Sequence, residues 1–162
     1  MTGRAAPQSG DDTAEVVFVV IAPTGELREE TTDGRPDGDD PDLEVPYQSS
    51  LWTAVHALIA PDSVRVGGIP VAEQDLRAKV IDSDVARENP ALFPPNPYAS
   101  AVLTLLGARL EKTLLGTVAI VREEDPETGL TGSLDTKQLE AIWNAHRTVV
   151  AGAGDAARWR FC

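Results

Sequence analysis

Chemistry in this chain of 162 residues would have to be done by two histidines, a crowd of aspartates and a single cysteine. His56 and His146 each stand about a helical turn from a tryptophan, Trp52 and Trp143 respectively. An imidazole in that setting is a packed side chain unless partners for a metal or a proton relay stand near it, and none can be placed. Asp82 with Asp84, and Glu123 with Glu124, could act as paired carboxylates in a hydrolase. Among 26 acidic residues such neighbours arise by chance. The chain has no Gly-x-Ser-x-Gly elbow, no Cys-x-x-Cys pair, no His-Glu-x-x-His and no glycine-rich phosphate loop, and Gly67-Gly68 alone carries no weight. Cys162 is the only cysteine, so an internal disulfide is excluded, and a thiol in that place is poorly held for nucleophilic work. No catalytic residue is assigned, and no cofactor is expected.

Residues 32–44 form an acidic loop that invites a calcium reading. Counted from Asp33, the fifth, sixth and twelfth places hold Asp37, Gly38 and Glu44, as in an EF-hand, and Asp39 adds another oxygen donor. The third place is Arg35, a cation where a ligand belongs, and the residues before the loop read as strand instead of helix. A solvated acidic loop is the better reading, and no metal is assigned. Two segments could serve recognition. Asn96 and Tyr98 bring an amide and a phenol to the start of a helix. Arg158, Trp159, Arg160 and Phe161 make a basic, aromatic end of the kind favoured at interfaces.

The elements that must hold these residues follow from pattern. Residues 15–22 (EVVFVVIA) read as a central strand. Pro23-Thr24-Gly25 reads as a turn, and residues 26–31 as a charged edge strand returning beside the first. Ser49 or Ser50 is placed to cap a helix over 51–60, ended by Pro61, with Leu51, Val55, Leu58 and Ile59 inward. Residues 63–66 make a short strand closed by Gly67-Gly68; 70–78 read either as a helical turn or as a connector, 79–82 as a possible strand, and 84–93 as loop.

The stretch 94–121 (PPNPYASAVLTLLGARLEKTLLGTVAIV) carries the strongest local signals. Asn96 caps, Pro97 takes the first helical position, and Gly107 ends the helix in a left-handed conformation. Tyr98, Val102, Leu105 and Leu106 share one face and the opposite face is apolar too, which predicts a helix buried nearly all round. Residues 114–121 then read as a strand covered on both faces. A last helix begins at Asp135, with Gln138 completing a capping box and Leu134 and Leu139 a hydrophobic staple. Leu139, Ile142, Trp143, His146 and Val150 form its stripe, and Gly152 and Gly154 end it. The whole predicts an α+β fold: one mixed or antiparallel sheet of about four to five strands packed by about three helices. Residues 1–14 read as a disordered arm, 15–152 as a single domain, and 153–162 as the basic-aromatic tail.

The net charge of −12 is unevenly spread: residues 1–50 carry 12 acids and 3 bases, the rest 14 acids and 11 bases. No basic stripe exists to displace counterions, so direct nucleic-acid binding is not expected. The longest apolar run, 16–22, is too short to span a bilayer, and no leader precedes it, which points to the cytoplasm of the host cell and to no membrane association.

Residues 94–121 also resemble an uncharacterised small domain family of phages, plasmids and actinobacterial genomes. That family has an N-terminal strand ending in a Pro-Gly-type turn and a mid-chain helix, then a segment like PPNPYASAVL and a strand of the LLGTVAIV type. The corresponding residues here are 16–25, 51–59, 95–103 and 115–121. The resemblance implies a mobile-element context and brings no activity or catalytic residues. Three functions follow in order of preference: a non-enzymatic accessory protein acting through a protein partner, an acidic nucleic-acid mimic that blocks a DNA-binding enzyme, and a small hydrolase.

Overall fold

The computed structural model describes residues 15–37, 47–60 and 64–160, with side chains to residue 153. Strand β1 (Glu15–Ile21) is almost uninterrupted in branched residues, so it fills an inner position of the sheet. It turns through Gly25, at φ +98°, into the charged edge strand β2 (Leu27–Asp33). Helix α1 (Ser49–Ile59) follows, then β3 (Val66–Val71), a single 3-10 turn, and β4 (Leu76–Ile81). The one-turn helix α2 (Asp84–Arg87), helix α3 (Pro97–Leu106), strand β5 (Val118–Arg122) and the long helix α4 (Thr136–Arg160) complete the order. The sheet is antiparallel throughout, in the order β2-β1-β5-β4-β3. The fold is α+β, with five strands and four helices among the described residues.

Strand alternation splits the interior into two cores. Val19, Ile21, Ala78, Val118 and Ile120 face α3 and α4, whereas Phe18, Val20, Ala119 and Val121 face α1 through Leu51, Val55 and Ile59. The sheet is thus covered on both sides, and β5 is buried on both faces as expected, although it begins at Val118 and not at residue 114, where Leu115 makes only an isolated bridge to Pro95.

The capping signals behave as expected. Asn96 Oδ1 accepts from the Ala99 N–H at 3.0 Å, and Gly107 closes α3 at φ +112°. Asp135 and Gln138 exchange capping-box bonds of 2.7 and 3.0 Å.

Other expectations need correction. Neither Ser49 nor Ser50 caps α1. Asp37 reaches across instead, accepting from Ser49 N–H at 3.1 Å and Ser49 Oγ at 2.7 Å. Helix α3 is not enclosed all round: Leu103 is buried, and Leu105, expected inward, is 56% exposed. Gly67-Gly68 does not end a strand but lies inside β3. Of the two readings of 70–78 the helical turn is present, as the 3-10 turn at Ala72–Gln74, but the residues on either side of it belong to the hairpin strands β3 and β4. Residues 84–93 contain a helical turn capped by Ser83. Gly152 and Gly154 do not end α4, whose 25 residues run through both. A glycine inside a helix costs about 1 kcal/mol, which the flanking turns can absorb.

Candidate functional site

On the face of the sheet beneath α1, β1 and β5 are apolar, the edge strand β2 adds Arg28, Glu30 and Thr32, and β4 places two cations. In the sequence LRAKVI, Leu76, Ala78 and Val80 join the α3–α4 core, so Arg77 and Lys79 point to the α1 side. There Arg77 Nε donates to both Glu123 oxygens, at 2.9 and 3.1 Å, just past the end of β5. Lys79 Nζ lies 4.7 Å from the centre of the Trp52 ring, a cation–π distance. Together they line a cavity of about 260 Å³. A wider groove of about 750 Å³ includes Gln48, Arg122, Glu124 and Thr131.

The electrostatics of the cluster are mutually compensated. Burial works to raise the Glu123 carboxyl, but the Arg77 hydrogen bond, the Glu124 N–H and the charges of Arg77 and Lys79 outweigh it and hold it low. The Glu123 hydrogen bond raises Arg77 in turn. Lys79 is lowered by burial first and by the charge of Arg77 second. The guanidinium is thus neutralised and the ammonium is stacked on an indole, so the cluster braces β4 against the end of β5.

A pH dependence follows from the Glu123 direction. A carboxyl held below its unfolded value of about 4.3 adds stability that is complete above that value and is lost as pH falls through the folded value. The pair is part-exposed, so its worth is up to about 1 kcal/mol. Urea unfolding at pH 7 should show Glu123→Gln less stable than wild type by that amount, and the gap should narrow steadily as pH falls below the unfolded carboxyl's range. A gap that does not change with pH would mean that packing, not charge, was lost.

The residues singled out in the sequence are largely used as braces. Asn96 is fully buried. Its amide donates to the carbonyls of Ile21 at 2.9 Å and Gly116 at 2.8 Å while its oxygen caps α3. The Tyr98 ring lies against Gly25, where an added Cβ would sit 3.1 Å from it. His146 Nε2 donates to the Gly25 carbonyl at 2.6 Å, with its ring edge-on to Trp143, while His56 is exposed on α1. Asp33 is clamped by Arg35, which lowers its carboxyl through a side-chain hydrogen bond, and Asp37 is the α1 cap. Asp39, Glu44 and Phe161 lie outside the described residues. Among the described residues no group of three or more His, Cys, Asp or Glu could hold a metal ion. Arg158, Trp159 and Arg160 fall on the final turn of α4.

Sequence reasoning missed three positions. Arg77 and Lys79 carried a signal, a cation at every second place of a strand whose other face is apolar. Gln48 carried none. Its side chain donates to the carbonyls of Gly34 and Thr131 and accepts the Thr131 N–H, all at 2.8 Å, joining segments 83 residues apart.

One open feature is left at the far side of the sheet. Beside β3 lies a cleft of about 410 Å³. Ile69, Val80, Leu110 and Leu114 make its apolar lining, and Asp82, Asp84, Glu111, Arg87, Arg109 and Lys112 supply its charges. No protein family, curated protein or solved structure matches the chain.

Proposed function

We propose that this chain is a non-enzymatic accessory protein of a phage or other mobile element, working in the host cytoplasm through contact with a protein partner. The resemblance of residues 94–121 supports the context. The observation that carries the reading is the state of the buried polar side chains. Gln48, Asn96, Thr131 and Gln138 are the buried polar residues among those described, and no buried side-chain donor or acceptor there lacks a partner inside the fold. An active site needs polar groups aimed outward at a reacting atom. Here they are directed at the fold's own loops, and the open cleft beside β3 pairs an apolar lining with balanced charge.

The described acids also favour protein contact over imitation of nucleic acid, which calls for an ordered row of unpaired carboxylates. Glu26 and Glu30 flank Arg28, Asp33 holds Arg35, Glu123 holds Arg77, and Asp75 lies 3.7 Å from Arg122. No helix among the described residues is long and apolar enough to cross a membrane.

The test is in-cell crosslinking of the tagged full chain in an actinobacterial host, with and without residues 155–162. The expected result is one partner recovered in near-stoichiometric amount. Recovery of the chain alone, together with turnover of a model ester, phosphate or peptide substrate by the purified protein, would replace this reading with the hydrolase.

A further inference from the structure

The two edges of the sheet are built differently. Along β2, Arg28 stands 3.6 Å from Glu26 and 3.7 Å from Glu30, and Glu29 accepts from the Trp143 indole, so that edge carries charge. Charged edges resist pairing with other strands. Strand β3 reads VGGIPV and has no charged residue.

The direction of its backbone groups can be fixed. Arg65 lies opposite Asp82 in register and accepts its N–H at 2.8 Å, so these two form a hydrogen-bonded pair. Antiparallel ladders alternate, so Gly67, Ile69 and Val71 bond inward to β4, and the N–H and C=O groups of Val66 and Gly68 point away from the sheet. Pro70 falls on the outward set, where its missing N–H costs no ladder bond. Gly67 and Gly68 bring no side chain of their own to this edge, the Asp82 and Arg77 side chains lie over their faces, and the cleft opens beside them.

We propose that β3 takes up an extended segment of a neutral-to-basic partner protein as a sixth strand. Val66 and Gly68 hold its backbone, and one of its alternate side chains enters the cleft over Ile69 and Leu110. This rests on the protein-contact reading above and adds to it where the partner binds and in what conformation. The charges around the cleft balance, three of each sign, and do not select a partner. The whole chain does: at a net charge of −12, a second copy is repelled and a basic segment is drawn in.

The test uses the full chain as bait for a displayed library of random linear peptides, counter-selected on the Gly68→Pro variant. Proline removes the outward N–H and leaves the β4 ladder intact. Gly68→Ala is the control, since it keeps the N–H and meets the same Arg77 side-chain end, 2.9 Å from the added Cβ. Enriched peptides should bind wild type and Gly68→Ala alike and lose about tenfold or more on Gly68→Pro, a loss of about 1.4 kcal/mol or more. Independently of any variant, bound peptide should slow hydrogen exchange at the Val66 and Gly68 amides, with Gly67 and Ile69 already slow. Peptides that bind Gly68→Pro equally well, or that leave those two amides fast, would overturn the edge while leaving protein contact standing. A wild-type dimer dissolved by Gly68→Pro would assign the edge to a second copy and overturn the proposal. No enriched peptide, with no crosslinked partner in cells, would remove both readings.

Discussion

Asn96→Ala should cost about 3–5 kcal/mol in urea unfolding at pH 7. Loss of the helix cap accounts for about 1 kcal/mol. The larger share comes from the carbonyls of Ile21 and Gly116, each of which loses a buried hydrogen bond at about 1–2 kcal/mol. Against a typical stability of about 5–15 kcal/mol this is enough to leave the chain partly unfolded at ambient temperature. Asn96→Asp separates the two contributions. It keeps the acceptor that caps α3 and loses both donors, so at neutral pH it should be at least as damaging as alanine. The new carboxyl faces two carbonyls without water, which raises its folded pKa above the unfolded value of about 3.9. Between those values the native state binds more protons, so the deficit relative to wild type is complete above the raised value and shrinks as pH falls through the window. A cost below about 1 kcal/mol for both variants would show a capping residue only, since a cap alone is worth about that much.

Asn96 also shows where sequence reading stops. Its cap on α3 involves residues three apart and is legible. The donors to Ile21 and Gly116 span 75 and 20 residues, and no local spacing encodes them. The same boundary divides the charged cluster. Sequence adjacency sets Glu123 beside Glu124, whereas its partner in the fold is Arg77, 46 residues earlier. The hairpin β3–β4 was obscured for a different reason. Gly-Gly and proline are strand breakers by propensity, but an outermost strand tolerates a proline on its outward side, and Gly68 makes room for the Arg77 side chain. Tertiary pairing therefore overrode propensity at the place where the open edge now stands. In α3 the error was one of phase. Where both faces of a short helix are apolar, periodicity cannot tell Leu103 from Leu105. Only the position of α4, packed along one side of α3, decides it.

That decision can be tested by the other large effect. Phe18 is 1% exposed on the α1 side of β1, in one cluster with Leu51, Val55 and Val121. Phe18→Ala should cost about 3–5 kcal/mol, the transfer of the ring plus the cavity it leaves. Leu105→Ala, at a residue 56% exposed, should cost less than about 0.5 kcal/mol. The contrast is informative because sequence pattern alone treats both as buried. It also bears on the cleft beside β3. Helix α1 covers the face onto which Arg77 and Lys79 project, so the side chains of β4 on that face are braced from above and β3 is left as the sheet's free side. If α1 sits as described, the Phe18→Ala cavity is closed and dry, and benzene or xenon should bind there and recover part of the lost stability. If the loss is near 1 kcal/mol and neither probe binds, the second core is open to water. The sheet would then be covered on one face only, and a partner would have an entire apolar face to occupy in place of one edge.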